Sequence, residues 1–374
     1  MQFRQNSVLT NKSNLEHLHT FKNYPVFVGC TDQDLGQDIK YDMSFSICRD
    51  TGIIQLDNLL PLNLVYLEQH NDGAGQIWNE HYNLFCEFFS GFAIKDVLEI
   101  GAANGHVAKR YTSNHDTQWT IVEPNPVFMG SGNIRVIKQW FNSQFKFNDK
   151  INTIVHTHVL EHVYEPIKFL QDIYNMLEVG QQHVFSIPNM LEQLKNKYTN
   201  CLNFEHTLFL TEDIVDYLLQ TVGFDIVDKQ YFQDHSIFYS TVKSTSQFAH
   251  YPMQYDYYKQ LFMEFVQYYD TLIVHLNNQL RLVDNTTCNV YLFGGHIFSQ
   301  HLLTVGLDKA KIKCVLDNSP LKQNKRLYGT NLIVRNPEII RQDTNPIVIL
   351  KVGAYREEIS KQLYSINANV KILE

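Results

Sequence analysis

Short apolar runs alternate with helix-period segments across residues 96–245, and this alternation constrains the fold more than any other feature of the sequence. Asp96-Val-Leu-Glu-Ile100, Trp119-Thr-Ile-Val122, Asn133-Ile-Arg-Val-Ile137, Ile151-Asn-Thr-Ile-Val155 and Gln182-His-Val-Phe-Ser-Ile187 read as strands. His106 to Thr112 and Pro166 to Leu177 read as helices, the second with proline in its first turn, and Thr211 caps a third. Strands of this kind separated by helices predict a mainly parallel sheet covered by helices on both faces, an α/β fold.

The flanking regions follow other patterns. The first 75 residues hold short β-like runs, Tyr24–Val28, Met43–Ile47 and Ile53–Leu56, separated by turn formers. Gln76 to Ser90 repeats its apolar residues at helical spacing, and Gln254 to Val283 reads as one long aromatic helix. Strand and helix signals resume from Asn289 to Leu373. The expected organisation is a β-rich lobe (1–75), a central α/β domain (76–250), a linking helix (251–285) and a second, Rossmann-like α/β domain (286–374).

Composition narrows the function. Charged residues make up 19% and the net charge is −8, so the basic surplus that drives duplex binding is missing and a nucleic-acid partner is not expected. No run approaches the length of a membrane span, and Met1-Gln2-Phe3-Arg4-Gln5-Asn6 lacks the apolar core of a leader. Six cysteines in 374 residues make no disulfide scaffold. A cytoplasmic protein without a membrane partner is expected. The abundance of Phe, Tyr, Asn and Gln reads as a genomic habit.

The chemistry concentrates where strands end. Glu99-Ile-Gly101-Ala102-Ala103-Asn104-Gly105 joins a strand to a helix through glycines that permit tight turning and close approach to a ligand. Glu123, with Pro124 behind it, stands twenty-two residues past Gly101, where an acid can accept both ribose hydroxyls of an adenosine. His158 and Leu160-Glu161-His162 follow the fourth strand, on the crevice side of such a sheet. His162 is a candidate general base, since imidazole titrates near neutrality, or a loop-ordering residue with Glu161. Trp140 reads as an adenine stacker or a core residue. Asn203-Phe204-Glu205-His206 and Asp234-His235-Ser236 each place histidine beside an acid.

The pattern Glu-x-Gly-x-x-x-Gly resembles the first motif of S-adenosylmethionine (SAM) methyltransferases, with Ala103 where many members have glycine. The resemblance implies that Glu99 lies near the methionine amino group, and that Gly101, Ala102, Asn104, Gly105, Glu123, Pro124, Trp140 and His158 line a SAM pocket. The whole chain resembles bacterial C-methyltransferases of nucleotide-linked deoxysugars, which join an N-terminal lobe, a SAM domain and a C-terminal α/β domain. Their histidine after the fourth strand falls on His162. Their Tyr-His-Glu-His segment falls on Asn203–His206, which retains only Glu205 and His206, and a later His-Gly-Gly-Ser corresponds loosely to His235-Ser236. Phe293-Gly294-Gly295, Leu316-Asp317-Asn318-Ser319-Pro320 and Lys325-Arg326-Leu-Tyr328-Gly329-Thr330 extend the likeness.

The resemblance implies methyl transfer to carbon or oxygen of a small nucleotide-linked or phosphorylated sugar. His162, Glu205, His206 and His235 would be catalytic, and the substrate would sit between the central and C-terminal domains. The family's structural zinc needs two Cys-x-x-Cys pairs, but Cys30 and Cys48 stand alone there, so no metal is expected. His70 or Tyr66 is placed to replace a site tyrosine of the family, with His70 and Asn71 as candidate substrate contacts, or the segment Leu67–Trp78 is a polar hinge. Lys322, Lys325 and Arg326 read as phosphate contacts or as a solvated loop. A homodimer is the expected assembly. The rival readings are methylation of oxygen or nitrogen on another small metabolite, and an inactive methyltransferase fold used for binding.

Overall fold

The computed structural model of the chain describes residues 2–66, 75–92, 94–245, 253–284 and 286–374. They form two compact units, each assembled from three stretches: Met1–Glu16, Ser46–Glu192 and Glu205–Tyr258 in the first, His17–Phe45, Gln193–Phe204 and Lys259–Glu374 in the second. The N-terminal residues thus divide between the two units.

The first unit is built on a seven-stranded sheet. The strands of this sheet and its main helices are, in chain order, α1 (Gln76–Ser90), β1 (Asp96–Ile100), α2 (His106–Thr112), β2 (Gln118–Val122), β3 (Ile134–Ile137), β4 (Thr153–Thr157), α3 (Pro166–Met176), β5 (Gln182–Pro188), α4 (Glu212–Val222), β6 (Phe224–Phe232) and β7 (Ser236–Lys243). The strand order is β6-β7-β5-β4-β1-β2-β3. The five strands predicted from the sequence run parallel, whereas β7 is antiparallel to both β5 and β6. This is the Rossmann-like SAM-methyltransferase fold.

One face of the sheet receives α1 and α2. His81, Tyr82, Phe85 and Phe89 form the buried stripe of α1, with the spacing that puts residues four apart on one helix face. Phe85 and Phe89 are fully buried among Val97, Trp119, Ile121, Val155 and Val184 from the strands and Val107, Ala108 and Tyr111 from α2. Each such phenylalanine contributes roughly 1.5–3 kcal/mol by burial, so this seam holds α1 firmly on the sheet. Helices α3 and α4 pack together, burying Phe169, Leu170 and Ile173 with Ile214, Val215, Leu218 and Leu219.

The second unit contains the long helix α5 (Tyr255–Arg281) from Lys259 onward, then β8 (Val290–Phe293), α6 (Ile297–Thr304), β9 (Ile312–Leu316), β10 (Val334–Arg335), β11 (Ile347–Leu350), α7 (Arg356–Ile366) and β12 (Lys371–Leu373). Its sheet is wholly parallel, in the order β10-β9-β8-β11-β12. Tyr291, Phe293, Leu316, Val348 and Leu350 pack beneath Ile359, Leu363 and Ile366 of α7. No helix among the described residues is long and apolar enough to cross a membrane.

Candidate active site

The loop after β1 turns through three alternate residues in the left-handed region, Gly101 (φ 72°), Ala103 (φ 45°) and Gly105 (φ 65°). Gly101 is required twice over: its backbone is left-handed, and a Cβ there would lie 2.7 Å from Val159 Cγ2. Gly101 N–H donates to the Val122 carbonyl at 3.0 Å and Gly105 N–H to that of Ala102 at 2.8 Å. The Asn104 carbonyl accepts from Lys109 Nζ at 2.7 Å.

Glu123, at the end of β2 and just before Pro124, binds this loop directly. Its Oε2 accepts Ala103 N–H at 3.2 Å and its Oε1 accepts Asn125 N–H at 2.9 Å. Burial raises its pKa, with the two backbone donors opposing. Each oxygen retains a lone pair for a further donor. The donor set therefore fits SAM: Glu123 would receive the ribose hydroxyls, beside a loop whose glycines permit close approach.

Glu99 takes a different place from the one the resemblance implies. Its carboxylate accepts Trp119 Nε1–H at 2.8 Å and the Ala108 N–H, and burial pushes its pKa up to about 8. Both partners belong to the chain, and the group ties β1, β2 and α2 together under the loop. Trp119 is the core tryptophan. Trp140 is 38% exposed and lies edge-on to Tyr66, ring centres 5.6 Å apart.

The expected catalytic residues fall into two groups. His162, Glu205 and His206 come together because the segment carrying Glu205 and His206 runs beside the turn after β4. Thr207 N–H donates to the Glu161 carbonyl at 2.9 Å and Thr207 Oγ1 to that of Val163 at 2.7 Å. Arg4 fastens this arrangement from the N-terminus, donating to the carbonyls of Thr207 and Tyr164 at 2.8 and 2.7 Å. His162 Nδ1 then lies 3.7 Å from Glu205 Oε2 and 3.3 Å from the Tyr66 hydroxyl, and its ring centre is 5.1 Å from that of His206.

The electrostatics of this group follow from burial. Desolvation, aided by His206, lowers the His162 pKa well below 6.5, so the imidazole is neutral at neutral pH. Desolvation pushes Glu205 up to about 7 and Glu161 up to about 8. Tyr66 is raised well above 10 by burial and nearby carboxylates. A protonated phenol beside a neutral imidazole makes Tyr66 the donor and His162 Nδ1 the acceptor. The Tyr66 carbonyl also accepts from Asn125 Nδ2 at 2.6 Å, joining this cluster to the loop behind Glu123.

His235 belongs to the second group. It lies in the turn between β6 and β7, its ring centre 5.6 Å from those of both His158 and His81. His158, read from the sequence as a cofactor residue, is thus its neighbour. Glu161 lies beside both groups, with Oε1 3.5 Å from His158 Nδ1 and 3.7 Å from His162 Nε2.

His70 and Asn71 lie outside the described residues. Lys325 Nζ is 3.4 Å from Asp32 Oδ2. Arg326 is buried, its guanidinium donating to both Asp38 oxygens at 2.7 and 2.6 Å and to the Gln33 carbonyl at 2.6 Å. That fork anchors the second unit's own backbone and leaves little for a phosphate. In the same unit Asp317 repeats what Glu123 does in the first, accepting Gly295 N–H and Ser319 N–H, each at 2.8 Å. There a Cβ on Gly295 would meet Cys30 Sγ at 2.8 Å, so a thiol of the chain already occupies the space above the loop. Cys48 is in the other unit, its Sγ 3.5 Å from Asn14 Oδ1, and no cysteine joins either histidine cluster among the described residues.

Sequence reasoning missed His81, which reads as one more position of a helical stripe. It weighed Glu161 only as a loop residue. Asn125 carries no signal in the sequence, and Ser236 stands out there only as part of a family segment.

Comparison with known proteins agrees with this architecture. Residues 78–229 match the family model of a methyltransferase domain, and residues 253–371 match that of a C-methyltransferase C-terminal domain. The chain is a SAM-dependent methyltransferase carrying a C-methyltransferase C-terminal domain. No curated protein matches it. Among solved structures, it is similar to the 1,6-didemethyltoxoflavin-N1-methyltransferase of Burkholderia thailandensis, at 13% identity over 54% of this chain and 96% of that one, TM-score 0.38. The N-methyltransferase NodS of Bradyrhizobium japonicum is similar at 16% identity over 46% and 99%, TM-score 0.36. Likenesses this slight say nothing of substrate.

Proposed function

We propose that the protein methylates a carbon of a small nucleotide-linked or phosphorylated sugar, with His162 as the general base. The observation that carries this reading is His162 held between Tyr66 and Glu205 at the carboxyl end of the sheet, in a chain with a C-methyltransferase C-terminal domain.

Bound SAM, held by Glu123 and the 101–105 loop, supplies an electrophilic methyl whose reactivity belongs to the cofactor. The residues of the chain supply the proton chemistry. Carbon attacks as a nucleophile only after losing a proton, and His162 Nδ1 is the unprotonated nitrogen available to take it. The resulting imidazolium lies 3.7 Å from Glu205, whose carboxylate stabilises it. The Tyr66 hydroxyl, no longer donating to that nitrogen, is free to donate to an acceptor oxygen that gathers charge. His206 and Glu161 complete the polar wall around the ring.

The test uses isotopically labelled SAM with a panel of nucleotide-linked deoxysugars, locating the new methyl by NMR. In deuterated buffer without SAM, wild-type protein should exchange the acceptor carbon's proton, and His162→Gln should lose both exchange and transfer while binding SAM normally. Glu123→Ala should weaken SAM binding at least ~10-fold, as expected from loss of a paired hydrogen-bond acceptor. Undiminished transfer by His162→Gln, or methyl found only on oxygen or nitrogen, would refute the reading.

A further inference from the structure

Three histidines from widely separated segments meet in the first unit, apart from the His162 cluster. His81 comes from α1, His158 follows β4 and His235 sits in the β6–β7 turn. One ring nitrogen of each lies within 4.8 Å of those of the other two. The ring centres form a nearly equilateral triangle with sides of 5.3, 5.6 and 5.6 Å. Three imidazoles on a tetrahedral ion, with metal–nitrogen bonds of about 2.0–2.1 Å, have ring centres about 5 Å apart. The triangle need contract by only roughly half an ångström to reach that geometry.

The surroundings fit a metal better than they fit a core. His81 shares its buried stripe with Phe85 and Phe89, is fully buried, and has no hydrogen-bond partner for either ring nitrogen among the described residues. A phenylalanine there would avoid that desolvation cost. His158 holds a left-handed backbone, φ 52°, which non-glycine residues seldom adopt. The buried Ser236 hydroxyl is shared by His158 Nε2 at 2.9 Å and His235 Nδ1 at 2.6 Å, which sets an oxygen beside the triangle. Glu161 Oε1 lies 3.5 Å from the other nitrogen of His158, the place of the carboxylate that orients a ligating histidine. Trp78 lies edge-on to all three imidazoles, and Phe232 and Phe238 close the apolar wall beside His81.

We propose that His81, His158 and His235 bind a divalent transition-metal ion of the zinc class, with Ser236 positioned as a fourth oxygen donor. An all-imidazole set selects zinc, nickel or copper over magnesium and calcium. The proposal does not rest on the identity of the methyl acceptor. Its consequence for the enzyme is positional: an ion here would fix the turn from His158 to Glu161, whose Val159 abuts Gly101 of the SAM loop.

The test titrates chelator-treated full-length protein with Zn²⁺ and, separately, Co²⁺. One equivalent of zinc should be retained per chain through gel filtration, and Co²⁺ should produce the strong visible bands of a low-coordinate site; excess Mg²⁺ should not compete. His81→Phe, which extends the existing stripe, and His235→Gln should each lower affinity at least ~100-fold, beyond the 10–100-fold typical of outer-shell loss. Circular dichroism checks that both are folded, and His206→Gln should bind as wild type. Absence of stoichiometric zinc and of cobalt bands in the wild-type protein overturns the proposal. So does metal retained by His81→Phe and His235→Gln but lost by His206→Gln, which would place the ion at the His162 cluster.

Discussion

Gly101 and Val159 are distant in sequence, yet a Cβ on Gly101 would lie 2.7 Å from Val159 Cγ2, so the two positions should be energetically coupled. Gly101→Ala carries two costs. Its φ of 72° is a conformation that costs an L-residue about 1–2 kcal/mol. Forcing a methyl against Val159 adds about 1–3 kcal/mol of overpacking. The single variant should therefore lose about 2–5 kcal/mol. Val159→Ala, at a half-buried position, should lose about 1 kcal/mol by itself. In the double variant the clash disappears and only the backbone cost and the lost valine contacts remain. The double variant should thus be more stable than the sum of the singles predicts by about 1–3 kcal/mol. Urea unfolding of the four proteins, followed by a signal from the first unit such as Trp119 fluorescence, measures the cycle. SAM calorimetry on the same set should show affinity falling in Gly101→Ala and partly restored in the double variant. Additivity within about 0.5 kcal/mol would refute the reasoning, because it would mean the two loops do not touch.

Three further outcomes are expected. Burial pushes Glu205 up to about 7, so below that pH it is protonated and cannot stabilise a charged His162; turnover should rise through pH 7, and Glu205→Gln should flatten that limb of the pH–rate profile. His301 is fully buried against Tyr24 and Tyr269 and pushed down to about 3, so below 6.5 the unfolded chain takes a proton that the native state refuses. Stability is then lost on acidification at about 1.4 kcal/mol per pH unit from this group, and the urea midpoint of His301→Leu should fall less than that of wild type between pH 7 and pH 5. Asp38→Ala strands the buried Arg326 guanidinium and should cost about 3–5 kcal/mol in chemical denaturation, much of it recovered in Asp38→Ala/Arg326→Met.

The parts of the site legible in the sequence are those built from contiguous residues. The strand Asp96–Ile100 and the turn through Gly101 and Gly105 follow from local periodicity and spacing, and the structure finds both as read; the acid at Glu123 stands out by the same spacing. The edge of the sheet was less legible. β6 carries Asp225, Asp228, Lys229 and Gln230, because an edge strand solvated on one side lacks the continuous apolar run that marks the inner strands. Its antiparallel hairpin with β7 departs from the parallel pattern predicted from the helices.

Side-chain partnership was decided elsewhere. Glu99 and Glu123 look alike on paper as acids at strand ends. Glu99 lies within β1, paired with Ile121 and on the same face as Trp119, whereas Glu123 lies just past the end of β2, level with the loop. His235 read as one of four residues around one crevice, but the β6–β7 turn delivers it to His81 and His158 instead.

By itself, then, the sequence determined the five inner strands and their helices and the glycine turn with an acid beyond it, because these depend on periodicity and on backbone conformations that only certain residues adopt. Tertiary structure alone decided which histidines share a site. That outcome depends on contacts between segments far apart in the chain, and on burial, which shifts the same imidazole or carboxyl group according to what is packed around it.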